Sequence, residues 1–483
     1  MAALRHPLPA FLLILLVLLL AFAFQGSRGL WSPDEGRYVG VALEMIERGD
    51  YLHPHLHFEH PHYTKPPLTY WAIAASLDLF GHSEWAARLP HALAYVFTVL
   101  LVWAIGRTLF DESRARLAAL FHATALLPVI AAQAVTTDTL LTLWETLALF
   151  GFVRAWRSPR QTRWVLLMWL GFGLAFLTKG PPGLLPLLAV AVLLVWQRDW
   201  ALLRRLFRWP GLLLFLVVGG GWYLWVLADT PGLLDYLLRF EVVERIAGAA
   251  HHRHGEWYGG LLVYGPTLLI GTLPWGLLLL ARPWRQGKSG GNGGRLRFLW
   301  LWFLLPLAVF MLARSRLPFY LLPLFVPLAL LLAAAIPDSW LSRQRAWVLS
   351  SIVLAAILVG LKGYAGQMRH EQDDRQLAAE LQAVAGGNYA EYVFVDASPR
   401  YGLHFYLGGE VEHVCLPAAC PRQGLTADEA LSEELLADET RRLFLVPAAS
   451  KQGFLAQVAA VGRMGVQVGE LRGLVLMRLQ PAE

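Results

Sequence analysis

A series of apolar segments, each near the length needed to cross a bilayer, limits this chain more than any other feature. Windows of about 20 apolar residues lie near 8–25, 89–106, 117–135, 138–153, 164–178, 183–197, 210–228, 258–281, 298–313, 317–336 and 346–363. Repetition at that density predicts about eleven transmembrane helices and excludes a soluble domain up to about residue 364. The composition agrees. Hydrophobic residues make up 56% of the chain and charged residues only 16%, where a soluble domain carries about 25% charged residues. The segment Pro7–Phe24 lacks a small-residue cleavage site and reads as a retained first membrane helix.

Leu68–Gly81 is apolar too, but it is short and Asp78 interrupts it, so it reads as a helix lying at the interface. With it outside the membrane, Arg107, Arg114 and Arg116 fall on one side. Arg154–Arg163, Arg198–Arg208, Arg282–Arg297 and Arg343–Arg345 join them there. One-sided clustering of basic residues in short loops marks the cytoplasm. The net charge of +6 is thereby explained by orientation, with no nucleic acid required. The opposite, outer face collects the 26–88 loop, the Thr136–Asp138 turn, Lys179–Pro182, the 229–257 loop and Arg314–Arg316.

Beyond about residue 364 acidic and polar residues return. Short β-rich runs at 392–396, 442–447 and 474–479 alternate with helical patterns. The chain therefore divides into a membrane domain, 1–363, with its first outer loop at 26–88, and a small α/β domain, 364–483, on the outer side. Cys415 and Cys420 either pair in that compartment or remain two thiols of a loop.

The first loop reads WSPDEGRYVGVALEMIERGDYLHPHLHFEHPHYTKPP. Asp34 and Glu35 open an amphipathic helix beside Arg37, and Lys65 precedes Pro66-Pro67 where the next helix begins. Adjacent acids at a helix start complement the macrodipole. A carboxylate shielded from water and held near a hydroxyl can also act as a general base. Asp138, at the outer end of a membrane helix, is either a cap partner of Thr136 or a functional ion at membrane depth. Arg245 and Arg316 suit phosphate recognition through a planar donor pair, or snorkel to the interface. Histidines gather at His53, His55, His57, His60 and His62, and again at His251, His252 and His254. Two clusters on one face can share a metal through neutral imidazole, or stand as solvated loop residues; no cofactor is otherwise required.

The motifs PDEGRY, KPPL, TKGPPGLLP, RFEVVER and SRLPFYLLP occur in this order between about residues 30 and 330. Together they resemble bacterial membrane glycosyltransferases of the aminoarabinose-transferase and protein-mannosyltransferase superfamily. That resemblance implies the GT-C fold, an undecaprenyl-phosphate sugar donor and transfer on the periplasmic side of the inner membrane. It further implies that Asp34 is the catalytic carboxylate with Glu35 beside it, and that Lys65 meets the lipid phosphate with Arg245. Asp138 matches the family's acid at an outer helix end, and His252 a histidine preceding an aromatic, here Trp257. Arg37, Glu241 and Tyr320 complete the candidate set from the same motifs, as Arg316 does. Two positions depart from the aminoarabinose pattern. Thr64 stands where those transferases have Glu, which removes a metal partner of the histidine, and Val242 follows Glu241 where they have His or Asn.

The reading is a polytopic α-helical transferase that moves a sugar from a polyprenyl-phosphate carrier to a lipid, glycan or protein acceptor, with inversion. A lipid-linked-sugar flippase is the rival, although no internal repeat of the kind such transporters show is evident. Aminoarabinose transfer to lipid A is a narrower alternative that Thr64 and Val242 disfavour. The assigned sidedness makes a direct prediction. In a background lacking Cys415 and Cys420, a cysteine at Gly453 reacts with an impermeant thiol reagent from outside the cell membrane, and one at Gly291 does not. Outside labelling at Gly291 would place Leu68–Gly81 across the membrane.

Overall fold

The computed structural model describes residues 9–57, 60–158, 161–243, 256–279, 293–416, 430–435 and 441–481. The chain forms two compact units, each made of two stretches of sequence. One comprises 1–25 and 88–366, the other 26–87 and 367–483.

Every apolar window contains helix. In chain order the first eight helices are α1 (Ala10–Phe22), α2 (Asp34–Arg48), α3 (Leu68–Phe80), α4 (Glu84–Leu109), α5 (Glu112–Thr124), α6 (Leu126–Ala131), α7 (Thr137–Arg157) and α8 (Thr162–Lys179). Further helices of the membrane unit are Leu185–Gln197, Gly259–Gly271, Gly293–Leu312, Phe325–Ala335 and Gln344–Ala365. Among the described residues five helices are long and apolar enough to cross a membrane. They include α4 and the continuous stretch Trp209–Asp229, which passes through a π-helical turn at Leu216–Gly220. The chain is a polytopic membrane protein.

Burial separates helices that pack inside the bundle from those that face lipid. In Pro318–Ala335 67% of the most apolar window is buried, and in Trp209–Asp229 only 22%. Leu213, Leu216, Val217, Leu224 and Trp225 of the latter are exposed, a stripe that only hydrocarbon satisfies. Inside, α7 and α8 form the tightest helix pair. A Cβ on Gly171 would lie 2.5 Å from the Ala148 nitrogen, and one on Gly151 would lie 2.6 Å from the Met168 nitrogen. Small residues let backbones approach where lipid supplies no hydrophobic drive between helices. Caps fix the helix starts: the Asp111 side chain accepts from the Arg114 nitrogen at α5, and Thr136 Oγ1 accepts from the Asp138 nitrogen at α7.

In the other unit, α2 ends at Gly49 with φ 66°, the left-handed conformation that favours glycine at a helix C-terminus. A small hairpin follows, β1 (His55–His57) and β2 (His60–Pro61). At 13 residues, α3 is about 20 Å long, short of the roughly 30 Å hydrocarbon core. The C-terminal stretch contributes β3 (Glu391–Val395), β4 (Glu410–Val414), β5 (Arg442–Pro447), β6 (Arg463–Leu471) and β7 (Leu474–Pro481), in sheet order β4-β3-β5-β7-β6. β3 runs parallel to both β4 and β5, while β7 is antiparallel to β5 and β6. β3 is buried at every position, as a central parallel strand covered on both faces should be. Leu377 and Leu381 of the helix Asp374–Ala385 pack on one face with Tyr392 and Leu445, and Phe454 and Val458 pack on the other with Val393 and Phe444. The β6–β7 turn places Arg472 at φ 50° and Gly473 at φ 80°, the two positive φ values of a type I′ hairpin. Cys415 is disulfide-bonded, and Cys420 lies outside the described residues.

The close approach of α7 and α8 sets a test of the packing. Gly171→Val should cost about 1–3 kcal/mol through overpacking and lower the melting temperature of the detergent-solubilised protein. Gly265→Ala, where an added Cβ meets nothing within 4 Å, should leave it unchanged.

Candidate functional site

The residues before α2 are held by the C-terminal stretch. Trp31 bridges to Asp373, the Ser32 nitrogen donates to the Gln372 carbonyl at 3.0 Å, and Ser32 Oγ donates to Asp374 Oδ2 at 2.6 Å. Asp374 is fully buried and accepts from Arg400 Nε at 2.7 Å. Burial raises its pKa, against the pull of Arg400 and Ser32. The Leu30 nitrogen donates to the Tyr406 hydroxyl at 2.8 Å. A Cβ on Gly36 would lie 2.5 Å from the Gly402 nitrogen, so the first turn of α2 rests directly on the helix Gly402–Leu407.

This scaffold gives the two adjacent acids different surroundings. Glu35 is buried, and Arg28 grips it with both terminal nitrogens, at 2.5 and 3.0 Å. It also accepts from the Trp31 nitrogen at 2.9 Å. Its carboxylate therefore closes the Arg28–Trp31 loop onto the helix. Asp34 keeps 41% of its side chain exposed and accepts from Arg37 at 2.6 Å. Of the pair, Asp34 is the one a substrate can reach.

Lys65 stands just before α3, partly buried, and donates to the Thr64 carbonyl at 2.7 Å. α2 and α3 pack through Tyr38 and Tyr70, whose ring centroids are 5.6 Å apart. Tyr38 lies about 6 Å along the axis from Asp34, and Tyr70 is in the first turn of α3. The first turn of α3 also reaches past the C-terminal end of α2, where Trp71 Nε1 donates to the Tyr51 carbonyl at 2.6 Å.

The histidines of this loop have separate fates. His53 Nδ1 meets Asp50 at 2.8 Å, His55 Nδ1 meets the His53 carbonyl at 2.8 Å, and His62 Nε2 meets Thr64 Oγ1 at 2.7 Å. The metal implied by the resemblance does not fit these donors: Thr64 offers a hydroxyl engaged with His62 where a carboxylate would be needed. His252 lies outside the described residues. His57 instead reaches the edge of the sheet, with Glu391 at 3.1 Å and Glu410 at 3.0 Å. Burial opposes its charge, but these carboxylates outweigh burial and raise its pKa to about 10. Glu412 is pushed up to about 10, by burial first and then by Glu434 and Glu391.

In the membrane unit, Asp138 begins α7 and Lys179 ends α8, and the antiparallel pair brings them together at 2.5 Å, side chains 8% and 10% exposed. Lys179 Nζ sits 4.2 Å from the centroid of the Tyr320 ring. Glu145, two turns below Asp138 on the same helix face, is buried within electrostatic reach of both ions. Arg316 is 3% exposed and donates to the carbonyls of Glu256 and Met311, at 2.8 and 3.1 Å. Glu241 falls in the π-helical turn Tyr236–Val243, and Arg245 lies outside the described residues. Neither Lys179 nor Glu145 was singled out from the sequence. Lys179 was visible in TKGPPGLLP, and Glu145 as an acid inside an apolar helix.

Residues 64–225 match the dolichyl-phosphate-mannose-protein mannosyltransferase family. An undecaprenyl phosphate-alpha-4-amino-4-deoxy-L-arabinose arabinosyl transferase of Pseudomonas fluorescens is 36% identical over 330 residues, 65% of this chain and 53% of the relative. Its counterpart in Pectobacterium carotovorum is 34% identical over 372 residues, 72% of this chain and 65% of the relative. The matched region thus spans less than two thirds of either relative. The crystal structure of ArnT from Cupriavidus metallidurans bound to undecaprenyl phosphate superposes with a TM-score of 0.79, at 21% identity, covering 97% of both chains. Its apo state superposes with a TM-score of 0.76 at 20% identity. The fold is that of ArnT.

The buried Asp138–Lys179 pair predicts strong coupling. Removing one partner leaves the other charge uncompensated, so Asp138→Asn and Lys179→Met should each destabilise by about 3–5 kcal/mol. The double variant should lose clearly less than the sum, read from unfolding in detergent. Additive losses would show that the two groups act independently.

Proposed function

We propose that this chain, which belongs to the superfamily of the aminoarabinose transferases and the protein mannosyltransferases, transfers a sugar from undecaprenyl phosphate to an acceptor at the outer face of the bacterial inner membrane. The observation that carries the reading is the division of labour at the start of α2. Glu35 is taken up by Arg28, while half-exposed Asp34 stays accessible at the start of α2, in the loop that also carries Lys65. The donor named for the relatives supports it, as do the apolar helices that would admit a polyprenyl chain.

The chemistry follows from these groups. Breaking the sugar–phosphate bond leaves negative charge on the lipid phosphate as it departs. Lys65 stabilises that charge where it develops, the kind of contribution that is usually largest in catalysis. Arg37 orients Asp34, and Asp34 accepts the proton of an attacking hydroxyl. Direct attack from the opposite face inverts the anomeric centre. In this reading about eleven spans, with the basic loops in the cytoplasm, leave Asp34, Lys65 and the C-terminal sheet on the periplasmic side. Arg245 and Arg316 are further candidates for donor phosphate, with Glu241, Asp138 and Tyr320 as supporting polar groups. Thr64 and Val242 favour a hydroxyl acceptor over the phosphate of lipid A.

Two substitutions test the assignment with a radiolabelled polyprenyl-phosphate sugar in proteoliposomes. Lys65→Met should abolish most turnover and Lys65→Arg restore part of it, since a cation of different shape remains. Asp34→Asn should lower turnover by about 10²–10⁴-fold, equivalent to about 3–5 kcal/mol, with donor affinity nearly unchanged. A loss confined to donor binding would instead indicate an orienting role toward an already anionic acceptor. Wild-type turnover in Asp34→Asn would remove both roles.

A further inference from the structure

The strands β3 and β4 carry an arrangement that the transfer reading does not use. Both strands begin with glutamate in adjacent register, Glu391 opposite Glu410, and Glu412 lies two residues on, opposite Val393. Arg442 is the partner of Glu391 on the other side, in β5. Side chains two apart share a sheet face, so these groups project where Val393, Val395, Val414, Phe444 and Val446 otherwise build an apolar core. Charged groups placed on such a face must be paired or hold a cation.

Arg442 bonds Glu391 Oε2 at 2.5 Å and Glu434 Oε1 at 2.7 Å. Arg442 thus ties Glu391 to Glu434, as His57 ties Glu391 to Glu410. Arg442 also turns Glu391 so that its other oxygen, Oε1, faces the imidazole of His57. His57, Glu391 and Glu412 are all buried, and one donor atom from each lies within 4.8 Å of the others. Glu410 Oε2 stands 3.0 Å from His57 Nε2 as a fourth donor.

We propose that His57, Glu391 and Glu412, with Glu410 completing the set, form a binding site for a divalent cation of the Zn²⁺ type that ties the first loop to the C-terminal sheet. The geometry needs little change. Zn²⁺ with ligands at about 2.0–2.1 Å in a tetrahedron separates neighbouring donors by about 3.3 Å. The nitrogen–oxygen separations present are 3.1 and 3.0 Å. An imidazole nitrogen in the set favours Zn²⁺ over Mg²⁺ or Ca²⁺, which prefer all-oxygen shells. Arg442 acts as the orienting partner that ligating carboxylates commonly have. The site is independent of the donor and acceptor of the transfer reaction.

The test uses the full chain, purified in detergent without a histidine tag and stripped with chelator. Zn²⁺ is titrated, and bound metal is measured after equilibrium dialysis. Wild type should hold one equivalent that His57→Gln and Glu412→Gln each lose or bind at least 100-fold more weakly. His404→Gln, in the separate Glu44–Glu47–His404 group, should retain it, and Mg²⁺ should not compete. Zn²⁺ should raise the melting temperature of wild type and leave that of Glu412→Gln unmoved. Glutamine preserves the shape of Glu412, and a monodisperse Glu412→Gln protein shows that the fold survives. Wild type that holds no Zn²⁺, or His57→Gln and Glu412→Gln proteins that hold it as wild type does, would overturn the proposal and leave the cluster a hydrogen-bonded clasp.

Discussion

The ion pair between Arg28 and Glu35 is the contact on which the candidate catalytic end of α2 depends. Both guanidinium nitrogens reach the carboxylate, which is 5% exposed. The pair is short, two-pronged and largely withdrawn from water, the geometry in which such contacts are strongest. It closes a loop that also packs on the C-terminal stretch, with Leu30 buried and the Trp31 ring stacked on His370. Asp374 does the same from the C-terminal side, through Ser32 and Arg400. Asp34 owes its position to these neighbours and can stay partly exposed because they, and not it, bear the structural load. The C-terminal stretch is therefore part of the scaffold of the first loop.

The membrane unit meets a related problem with opposite means. Its helices approach through glycines at 151 and 171, so their apolar surfaces meet with little room for polar side chains. Asp138 and Lys179 stand at the helix ends, where each neutralises the other and the Tyr320 ring covers the ammonium, and Glu145 is buried two turns below them. Ionisable groups at such depth are expensive and mark functional sites by default. Lys179 also illustrates why one ion of a pair is easier to read than the other. Asp138 announced itself by interrupting TTDTLL, whereas Lys179 stood on the outer face without an assigned role until the partner helix was placed beside it.

The helical architecture was legible because 20-residue apolar windows admit one kind of solution in lipid. Every one of them contains helix, and α3 is the short helix that Asp78 suggested. The β-rich runs at 392–396, 442–447 and 474–479 became β3, β5 and β7 for a similar reason, since a buried strand leaves a continuous apolar trace. β4 and β6 left none. EVEHV alternates its valines with glutamate and histidine, and RMGVQVGEL is broken by glycines and polar residues. Local pattern describes what a strand buries, and β4 carries carboxylates one of which, Glu410, pairs with His57 more than 300 residues earlier. The site was divided in the same way. Asp34 and Lys65 were visible as motif residues, but the sequence treated Glu35 as Asp34's equal. Only the partner Arg28 separates their roles, and nothing in an Arg–Glu spacing of seven residues fixes a contact in a loop.

Thr64 ties these strands of argument together. In the aminoarabinose transferases that the sequence resembles, a glutamate stands immediately before the lysine, adding a negative charge beside the cation that meets the lipid phosphate. Here a threonine takes the place and its hydroxyl is bonded to His62. In the proposed role, Lys65 would face the phosphate without a carboxylate next to it in sequence, which would strengthen its field at the leaving group because a neighbouring opposite charge would partly cancel it. The loop gives up one acidic donor at this end of the hairpin and meets acidic donors at the other, through His57 and the strand starts. A metal at the Thr64 position would act beside the reacting phosphate, whereas one at His57 would act on the anchoring of the loop. On the two proposals together, the threonine would shift the chemistry open to a cation from the reaction to the scaffold, and the leaving-group charge would fall to lysine and arginine.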